Sequence, residues 1–268
     1  MRFGVTANPE HEHALRAAKA AVRTLKENQD VILESDLAKA LGSRGSPLEK
    51  IKADFILAIG GDGTVLRALQ RTNEKTLGIN TGSLGFLAEG ESESLDSIID
   101  RLVRGDYRVE ERMKLKVMAD KKRHYDCVNE AVIHTAQVAK IRHYEIRVDG
   151  AVAEEVKADG VIVATPTGST SYAMSAGGPI LDPRVKAFVI AAIAPFKPSF
   201  HPFVVPASSE VQVSFARPRP GLLVLDGQEE IPLKGQEKVT LSESEKPAKL
   251  VRLGDDFYRR IREKLANP

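Results

Sequence analysis

One aspartate of this sequence, Asp62, stands inside a glycine turn that follows an apolar run. Residues 55–59, Phe-Ile-Leu-Ala-Ile, predict a strand that is covered on both faces of a parallel sheet. Residues 60–64 follow as Gly-Gly-Asp-Gly-Thr, and helical spacing of apolar side chains begins after them. The backbone N–H groups of such a turn can hold an anion. A carboxylate there repels a phosphate unless a cation or a hydroxyl proton engages it, so the turn indicates phosphate chemistry.

The same turn also has a structural interpretation, in which Asp62 only caps the following helix. The two standard phosphate loops do not decide the matter. G-x-x-x-x-G-K-[ST] occurs nowhere in the chain, and no G-x-G-x-x-G follows this strand. The choice therefore depends on the other polar stretches of the sequence.

A second glycine-rich loop, residues 80–87, follows another predicted strand, residues 76–79. Ligands of open parallel sheets bind at the carboxyl ends of the strands. We therefore expect this loop to lie beside Asp62, although the loop taken alone also fits an ordinary turn.

Residues 165–171 form a loop that is dense in hydroxyl groups. Thr and Ser occupy five of these positions, Pro166 and Gly168 fix the turn, and a buried strand precedes it, opened by Asp159-Gly160. Hydroxyl and N–H groups packed this densely suit a polar or anionic ligand, and the following Tyr172 can stack on a ring. The alternative is a loop that is merely rich in Ser and Thr.

Three shorter features are ambiguous or point away from other chemistry. Asn129-Glu130 can read ribose hydroxyls and base edges, but it also fits a solvated turn. Asp226-Gly227 is explained most simply as a hairpin turn. The six histidines lack the spacing of metal ligands, and the single cysteine, Cys127, has no evident base partner, so a zinc or thiol enzyme is not indicated.

The elements that position these residues predict an α/β fold in two domains. Strand and helix patterns alternate over about the first hundred residues: a strand at 2–7, a helix entered at Asn8-Pro9, a second strand at 30–34, and a helix capped by Ser94 and ended by Gly105. This part reads as a Rossmann-like domain with a largely parallel sheet.

From residue 107 onward the pattern becomes mostly β, with hairpins expected at Asp149-Gly150 and Asp226-Gly227. Asp255-Asp256 introduces a last helix, with Phe257, Ile261 and Leu265 on one face, that we expect to return to the first domain. The predicted domains are therefore residues 1–105 with 249–268, and residues 106–248.

Composition sets limits on the class of protein. Hydrophobic residues make up 42% and charged residues 28% of the 268, and the net charge is +2. These values are typical of a soluble globular protein and give no argument for a nucleic acid or membrane partner. One cysteine fits a reducing compartment. Residues 187–196 span about half of a membrane helix, and no signal segment is evident. We expect a cytoplasmic protein.

Taken together, these stretches resemble the NAD kinase family. Its pattern is matched, in order, by residues 60–64, 80–87, 129–130, 159–172 and 226–228. The first motif is shared with diacylglycerol kinases and phosphofructokinases, and the Thr-Pro-Thr-Gly-Ser-Thr run decides between them. The resemblance implies an α/β N-terminal and a β C-terminal domain, and transfer of the γ-phosphoryl group of ATP to the adenosine 2′-hydroxyl of NAD with Mg²⁺. Inorganic polyphosphate is a donor for some members.

The resemblance also implies roles for individual residues. Asp62 matches the catalytic aspartate, either as the base for the ribose hydroxyl or as a Mg²⁺ ligand, and the metal is otherwise held through the nucleotide. The positions that match nucleotide or substrate contacts are Gly60, Gly61, Asp62, Gly63, Thr64, Arg67, Asn80, Asn129, Glu130, Lys140, Lys157, Asp159, Thr170, Ser171, Tyr172, Ala173, Met174, Ser175, Ala194 and Gln228.

Family members share the site between neighbouring subunits, so a dimer or tetramer of this chain is expected, with NAD, NADP and ATP as its small-molecule partners. Two positions depart from the pattern: Ser171 stands where alanine is commoner, and residues 195–202 match only loosely. Two alternatives stay open: a lipid or sugar kinase that shares only the glycine turn, and a dinucleotide-binding sensor without catalysis.

Overall fold

The computed structural model describes residues 1–82, 85–91, 94–137, 139–197, 199–254 and 257–265. The chain forms two compact units, residues 1–111 with 248–268 and residues 112–247. The boundary expected at residue 105 lies further along the chain because the strand Arg108–Arg112 still pairs in the first sheet.

The elements of the first unit are strands that alternate with helices. Its strands are β1 Arg2–Ala7, β2 Asp30–Leu33, β3 Phe55–Ile59, β4 Lys75–Asn80, β5 Ala88–Glu91 and β6 Arg108–Arg112. Its helices are α1 Glu12–Lys26, α2 Ser35–Ala40, α3 Asp62–Arg71 and α4 Leu95–Arg104.

The second unit consists mainly of strands. They are β7 Leu115–Ala119, β8 Lys122–Arg123, β9 Glu130–Thr135, β10 Arg142–Val148, β11 Ala151–Ala158, β12 Gly160–Ala164, β13 Ala187–Ile193, β14 Phe203–Pro206, β15 Val211–Phe215, β16 Gly221–Leu225, β17 Glu229–Leu233 and β18 Val239–Glu243. The short helix α5, Tyr172–Ser175, belongs to it. Strand β19, Ala248–Arg252, and helix α6, Phe257–Leu265, complete the first unit.

The sheet of the first unit has the order β2-β1-β3-β4-β19-β6, with β5 also paired to β4. Strands β1, β3 and β4 run parallel, and Ile59 at the end of β3 pairs with Ala7 on one side and Ile79 on the other. All five residues of β3 are buried, as the unbroken apolar run predicts. The loops that follow these three strands therefore leave the sheet at the same edge.

The second unit contains two antiparallel sheets, β11-β10-β15-β18-β7-β8 and β14-β13-β12-β9-β16-β17, in the described residues. Apolar residues of both sheets form one shared core, and the other face of β9, β12 and β13 carries a separate apolar cluster. Both predicted hairpins are present: Asp149 and Gly150 have φ of 50° and 83°, and Asp226 and Gly227 have φ of 51° and 63°. Two successive positive φ angles are typical of the type I′ turn that Asp-Gly favours.

Helix α1 begins later than the sequence predicts, and helix α4 ends where it predicts. Helix α1 begins at Glu12 rather than directly after Asn8-Pro9. The reason is that the Asn8 side chain accepts the N–H of Glu10 at 3.0 Å, which makes a turn before the helix. Helix α4 follows Ser94 and ends before Gly105, whose φ is 80°, as expected, but the Ser94 side chain makes no capping hydrogen bond to the helix. Asp255 and Asp256 lie outside the described residues, and no helix in the described part of the chain is long and apolar enough to cross a membrane.

Candidate active site

The glycine turn after β3 is fixed by its backbone. Gly60 has a φ of 150°, and a Cβ there would lie 2.6 Å from the Oγ1 of Thr64, so a larger residue is excluded. The N–H of Gly60 donates to the carbonyl of Ile79 at 2.8 Å, which ties the turn to β4. Gly61 precedes α3, and within the described residues the N–H groups of Asp62 and Gly63 have no acceptor. These N–H groups are available to an anion.

The Asp62 carboxylate faces the second glycine loop. Its Oδ2 accepts the N–H of Phe86 at 2.6 Å, and its Oδ1 accepts those of Leu87 at 3.1 Å and Ala88 at 3.4 Å. A Cβ on Gly85 would lie 1.8 Å from Oδ1, so only glycine allows this approach. The capping interpretation of Asp62 is therefore wrong, since the carboxylate binds another loop. The expected closeness of the two loops is confirmed for residues 85–87, while Ser83 and Leu84 lie outside the described residues.

Two further predicted residues are held by neighbours of this turn. The Arg67 guanidinium contacts the Oγ1 of Thr6 at 3.1 Å, Glu34 at 3.3 Å and Asp36 at 3.6 Å. Its charge is thus balanced by two carboxylates, which the sequence did not single out. The Asn80 side chain closes its own loop, because it donates to the carbonyl of Gly82 at 2.7 Å and accepts the N–H of Gly82 at 3.2 Å.

In the second unit, Asp226 holds the Asn129-Glu130 segment. Its carboxylate accepts the backbone N–H groups of Val128 and Asn129, both at 2.8 Å, and of Glu130 at 3.0 Å. Asp226 is only 4% exposed. The residue occupies the predicted hairpin turn, but its side chain also fixes a backbone segment about a hundred positions away, which the Asp-Gly signal does not reveal.

Burial shifts the pKa values of Glu130, Asp226 and Lys114. Burial, followed by the negative charge of Asp226, raises the pKa of Glu130 to about 8. Burial also raises the pKa of Asp226 to about 6, against the three N–H groups and nearby Lys114. Burial lowers the pKa of Lys114, a residue that sequence reasoning missed. The Oε2 of Glu130 is buried without a hydrogen-bond partner in the described residues, while its Oε1 accepts from Ser171 at 3.5 Å.

The hydroxyl-rich loop uses several hydroxyls to build itself. Thr165 donates to the carbonyl of Val128 at 2.5 Å, and Ser169 donates to that of Pro166 at 2.7 Å. Thr167 accepts from Arg112 at 3.2 Å. These three hydroxyls are buried and bind the protein itself, and none of them is among the predicted ligand contacts of this loop, which begin at Thr170. The hydroxyls of Thr165 and Ser169 satisfy buried backbone carbonyl groups.

The remaining predicted contacts in this loop differ in exposure. Tyr172 is 43% exposed, Ser175 is exposed, and Ser171 is half-buried. The Thr170 hydroxyl donates to the carbonyl of Thr167 at 3.3 Å. Ala173 is fully buried in an apolar cluster, which leaves only its backbone for a ligand.

The other predicted binding residues lie at the opposite end of β12. The strand pairs Ala164 with Glu130 at one end and Gly160 with Ile193 at the other. Lys157, Asp159 and Ala194 lie at the Gly160 end, as does Lys140 in the exposed segment between β9 and β10, whereas Gln228 lies exposed beside the Asp226 turn. From Asp159 to Thr165 the backbone advances roughly 20 Å, at about 3.3 Å per residue. Within one chain these residues therefore form two groups, not one.

The sequence of the chain matches two protein-family models and the sequences of known proteins. Residues 3–107 match the model of the ATP-NAD kinase N-terminal domain, and residues 128–253 match that of the ATP-NAD kinase C-terminal domain. The NAD kinase of Thermoplasma volcanium is 45% identical over 249 residues, 92% of each chain. That of Thermoplasma acidophilum is 41% identical over 266 residues, 99% of this chain and 98% of its own.

Two solved structures have a fold similar to that of this chain. A crystal structure of yeast NADH kinase complexed with NADH matches with a TM-score of 0.88 at 24% identity, over 100% of this chain and 88% of the other. An NAD kinase from Archaeoglobus fulgidus in complex with ATP matches with a TM-score of 0.79 at 29% identity, over 99% of both chains.

The α/β unit with its glycine turn and the β unit with its hydroxyl-rich loop define a phosphotransferase of the nucleotide-dependent class. The chain belongs to the ATP-NAD kinase family. Its reaction is the ATP-dependent phosphorylation of NAD, and the lipid kinase, sugar kinase and non-catalytic alternatives are not favoured.

Proposed function

We propose that Asp62 engages the adenosine 2′-hydroxyl of NAD while the turn at residues 60–64 holds the phosphate groups of ATP. The observation that carries this proposal is that one turn carries both a fixed carboxylate and N–H groups that an anion can accept from. The Asp62 carboxylate binds the N–H groups of residues 86–88, and within the described residues the N–H groups of Asp62 and Gly63 have no acceptor. Phosphoryl transfer is loose, so the proton leaves the hydroxyl late and positioning does most of the catalysis. A carboxylate held by three N–H groups is suited to that task.

Mg²⁺ is proposed to accompany the nucleotide. It commonly binds through one or two carboxylates together with substrate phosphates and water, and this donor set fits one aspartate next to a phosphate-binding turn. Within the described residues no group of three potential ligands is present. Asp62 is the residue that would complete its coordination, and the ion would neutralise charge on the transferred phosphoryl group.

The adenosine of NAD is proposed to lie against Asn129, Glu130, Ser171 and Tyr172. Glu130 supports this through its buried Oε2, which has no hydrogen-bond partner among the described residues, and through its pKa near 8, because a carboxyl of that kind gains a hydrogen bond from a ribose hydroxyl. Tyr172 is exposed enough to stack on a base. The backbone of residues 173–175 supplies further polar groups beside it.

A second copy of the chain is proposed to supply the other contacts. Lys140, Lys157, Asp159 and Ala194 lie at the far end of β12 from Glu130. One half of a dinucleotide does not reach both ends of a strand within a single chain, so a homo-oligomer that brings these residues to a neighbour's site fits both groups. The buried single thiol of Cys127 is compatible with a reducing compartment, and the cytoplasm stays the proposed location.

The assignment of Asp62 is tested by Asp62→Asn, with Asp96→Asn as the control because Asp96 is an exposed aspartate in the first turn of α4. NADP is measured with an NADP-specific dehydrogenase after incubation with NAD, ATP and Mg²⁺. We expect kcat to fall by about 10²- to 10⁴-fold, as for loss of a group that acts on the transferred proton, with little change in NAD affinity. Wild-type turnover in Asp62→Asn refutes the assignment.

The same assay separates the finer alternatives. If Asp62 is a Mg²⁺ ligand, the substitution raises the Mg²⁺ concentration needed for half-maximal rate; if it is only the base, that concentration does not change. Replacement of ATP by polyphosphate, and of NAD by NADH, defines the donor and acceptor range.

A further inference from the structure

The peptide group that joins Phe86 to Leu87 is held at both of its ends. Its carbonyl oxygen, that of Phe86, accepts from the Nη1 of Arg260 at 2.9 Å and from the Nη2 of Arg252 at 3.5 Å. Its N–H, that of Leu87, donates to the Oδ1 of Asp62 at 3.1 Å, and the preceding N–H, that of Phe86, donates to Oδ2 at 2.6 Å. One peptide group therefore connects the Asp62 carboxylate to an arginine of the C-terminal helix α6. All five residues belong to the first unit.

Arg260 is fixed by more than this one bond. Its side chain is 4% exposed, and its Nη2 donates to the Oε1 of Glu89 at 2.7 Å. Glu89 also pairs with Arg252, and it accepts the N–H of Leu253 through Oε2 at 2.9 Å. Arg252 in turn binds Glu110 at 2.7 Å. Two planar guanidinium groups and their carboxylates thus define the place of the Phe86 carbonyl with little freedom.

A buried ion pair is a poor device for stability alone. The cost of removing its charges from water offsets much of their attraction, and well-packed apolar residues at the same place are often as stable or more so. The planar guanidinium also fixes the direction of the hydrogen bonds that it donates. By binding the Phe86 carbonyl it polarises the peptide between Phe86 and Leu87 and strengthens the bond from the Leu87 N–H to the Asp62 carboxylate, because hydrogen bonds in a chain reinforce one another.

We propose that Arg260 is a positioning residue for phosphoryl transfer, acting through the peptide between Phe86 and Leu87 on the orientation of the Asp62 carboxylate. The proposal rests on the role of Asp62 given above. It means that helix α6, nearly two hundred residues further along the chain, sets the geometry of the reacting group. A displacement of about 1 Å at a reacting group can cost about 10²-fold in rate.

The first test compares Arg260→Met with Arg262→Met, whose arginine is exposed on the same helix. We expect Arg260→Met to lower kcat about 10- to 100-fold with the KM for NAD changed less than about threefold, since only the transition-state geometry is disturbed. The lysine in Arg260→Lys reaches Phe86 or Glu89 but lacks the planar fork, so the kcat of this variant should lie between that of Arg260→Met and that of the wild type. Arg262→Met should match the wild type. A fall in binding with kcat unchanged, or no effect at all, overturns the proposal.

A double-mutant cycle distinguishes action through Asp62 from a general structural effect. In the background of Asp62→Asn, Arg260→Met should lower the residual kcat by less than about twofold, because the group it positions is already lost. If the two losses multiply, Arg260 does not act through Asp62. Should Arg260→Met fail to unfold cooperatively in urea, the cycle is run with Arg260→Lys, and the same two outcomes decide.

The result also separates this inference from the assignment beneath it. An Asp62→Asn enzyme with wild-type turnover refutes the role of Asp62, whatever Arg260 does. A strongly impaired Asp62→Asn beside a fully active Arg260→Met leaves that role intact and refutes only the positioning by Arg260.

Discussion

Replacing the buried carboxyl of Glu130 by a neutral amide should change how stability depends on pH. Glu130 is 5% exposed, and its pKa is raised from 4.5 to about 8 by burial and by the charge of Asp226. The pKa of the folded protein is therefore above that of the unfolded chain, so between these values the folded state binds the extra proton. This contribution to stability is complete below the unfolded pKa and is lost as pH rises through 8.

The size of the effect follows from that interval. Each pH unit within it costs about 1.36 kcal/mol of unfolding free energy, so the wild type should lose about 4 kcal/mol from this residue between pH 5 and pH 8. Glu130→Gln keeps the shape of the side chain and removes the titration. The unfolding free energy of the variant should lie within about 1 kcal/mol of that of the wild type at pH 5, and the variant should become steadily more stable relative to the wild type toward pH 8.

Urea unfolding at pH 5, 6, 7 and 8 measures this difference, with the slope m checked to be equal in both proteins. Glu230→Gln is the matched control, because Glu230 is an exposed glutamate on strand β17. Its stability should follow the wild type in parallel at every pH. If the difference between Glu130→Gln and the wild type changes by less than about 1 kcal/mol over this range, the carboxyl is ionised throughout and the reasoning from its burial is wrong.

The hydroxyl-rich loop and the shared site give two further predictions. Ser169→Ala should lower the unfolding free energy by about 2 kcal/mol. Ser169 donates to the carbonyl of Pro166 and accepts the N–H of Leu181 at 2.9 Å, and this N–H would be left unsatisfied. Urea unfolding measures the loss, with Ser199→Ala as the control, because Ser199 is exposed and its substitution should change the unfolding free energy by under about 0.5 kcal/mol. Mixing Asp62→Asn with Asp159→Asn chains under conditions of subunit exchange should restore kinase activity above that of either alone, and failure to do so argues that each site lies within one chain.

Local patterns predicted most of the elements that carry the site. The apolar run of residues 55–59 became a buried strand, and both Asp-Gly pairs became type I′ hairpins. These predictions depend on preferences that act over a few residues, namely side-chain burial, strand periodicity and the ease of positive φ. The start of helix α1 was misplaced because the Asn8 side chain competed for a nearby N–H group, which a capping pattern does not reveal.

The hydrogen-bond partners of the Asp62 and Asp226 carboxylates could not be predicted from local patterns. The sequence singled out Asp62 as a carboxylate for phosphate chemistry, with a helix cap as the alternative, and Asp226 as part of a hairpin turn. In the structure the first binds the N–H groups of residues 86–88 and the second those of residues 128–130. Neither partner is near in sequence, and backbone N–H groups carry no signature of residue type.

The sequence by itself thus determined the family and the glycine turns and singled out Asp62 as the carboxylate proposed to react, because each depends on residue type and short spacing. Only the tertiary structure decided which buried groups share a charge and which loop each carboxylate holds. Burial, which sets the protonation of Glu130 and the environment of Arg260, is a property of the packed chain and not of any one residue.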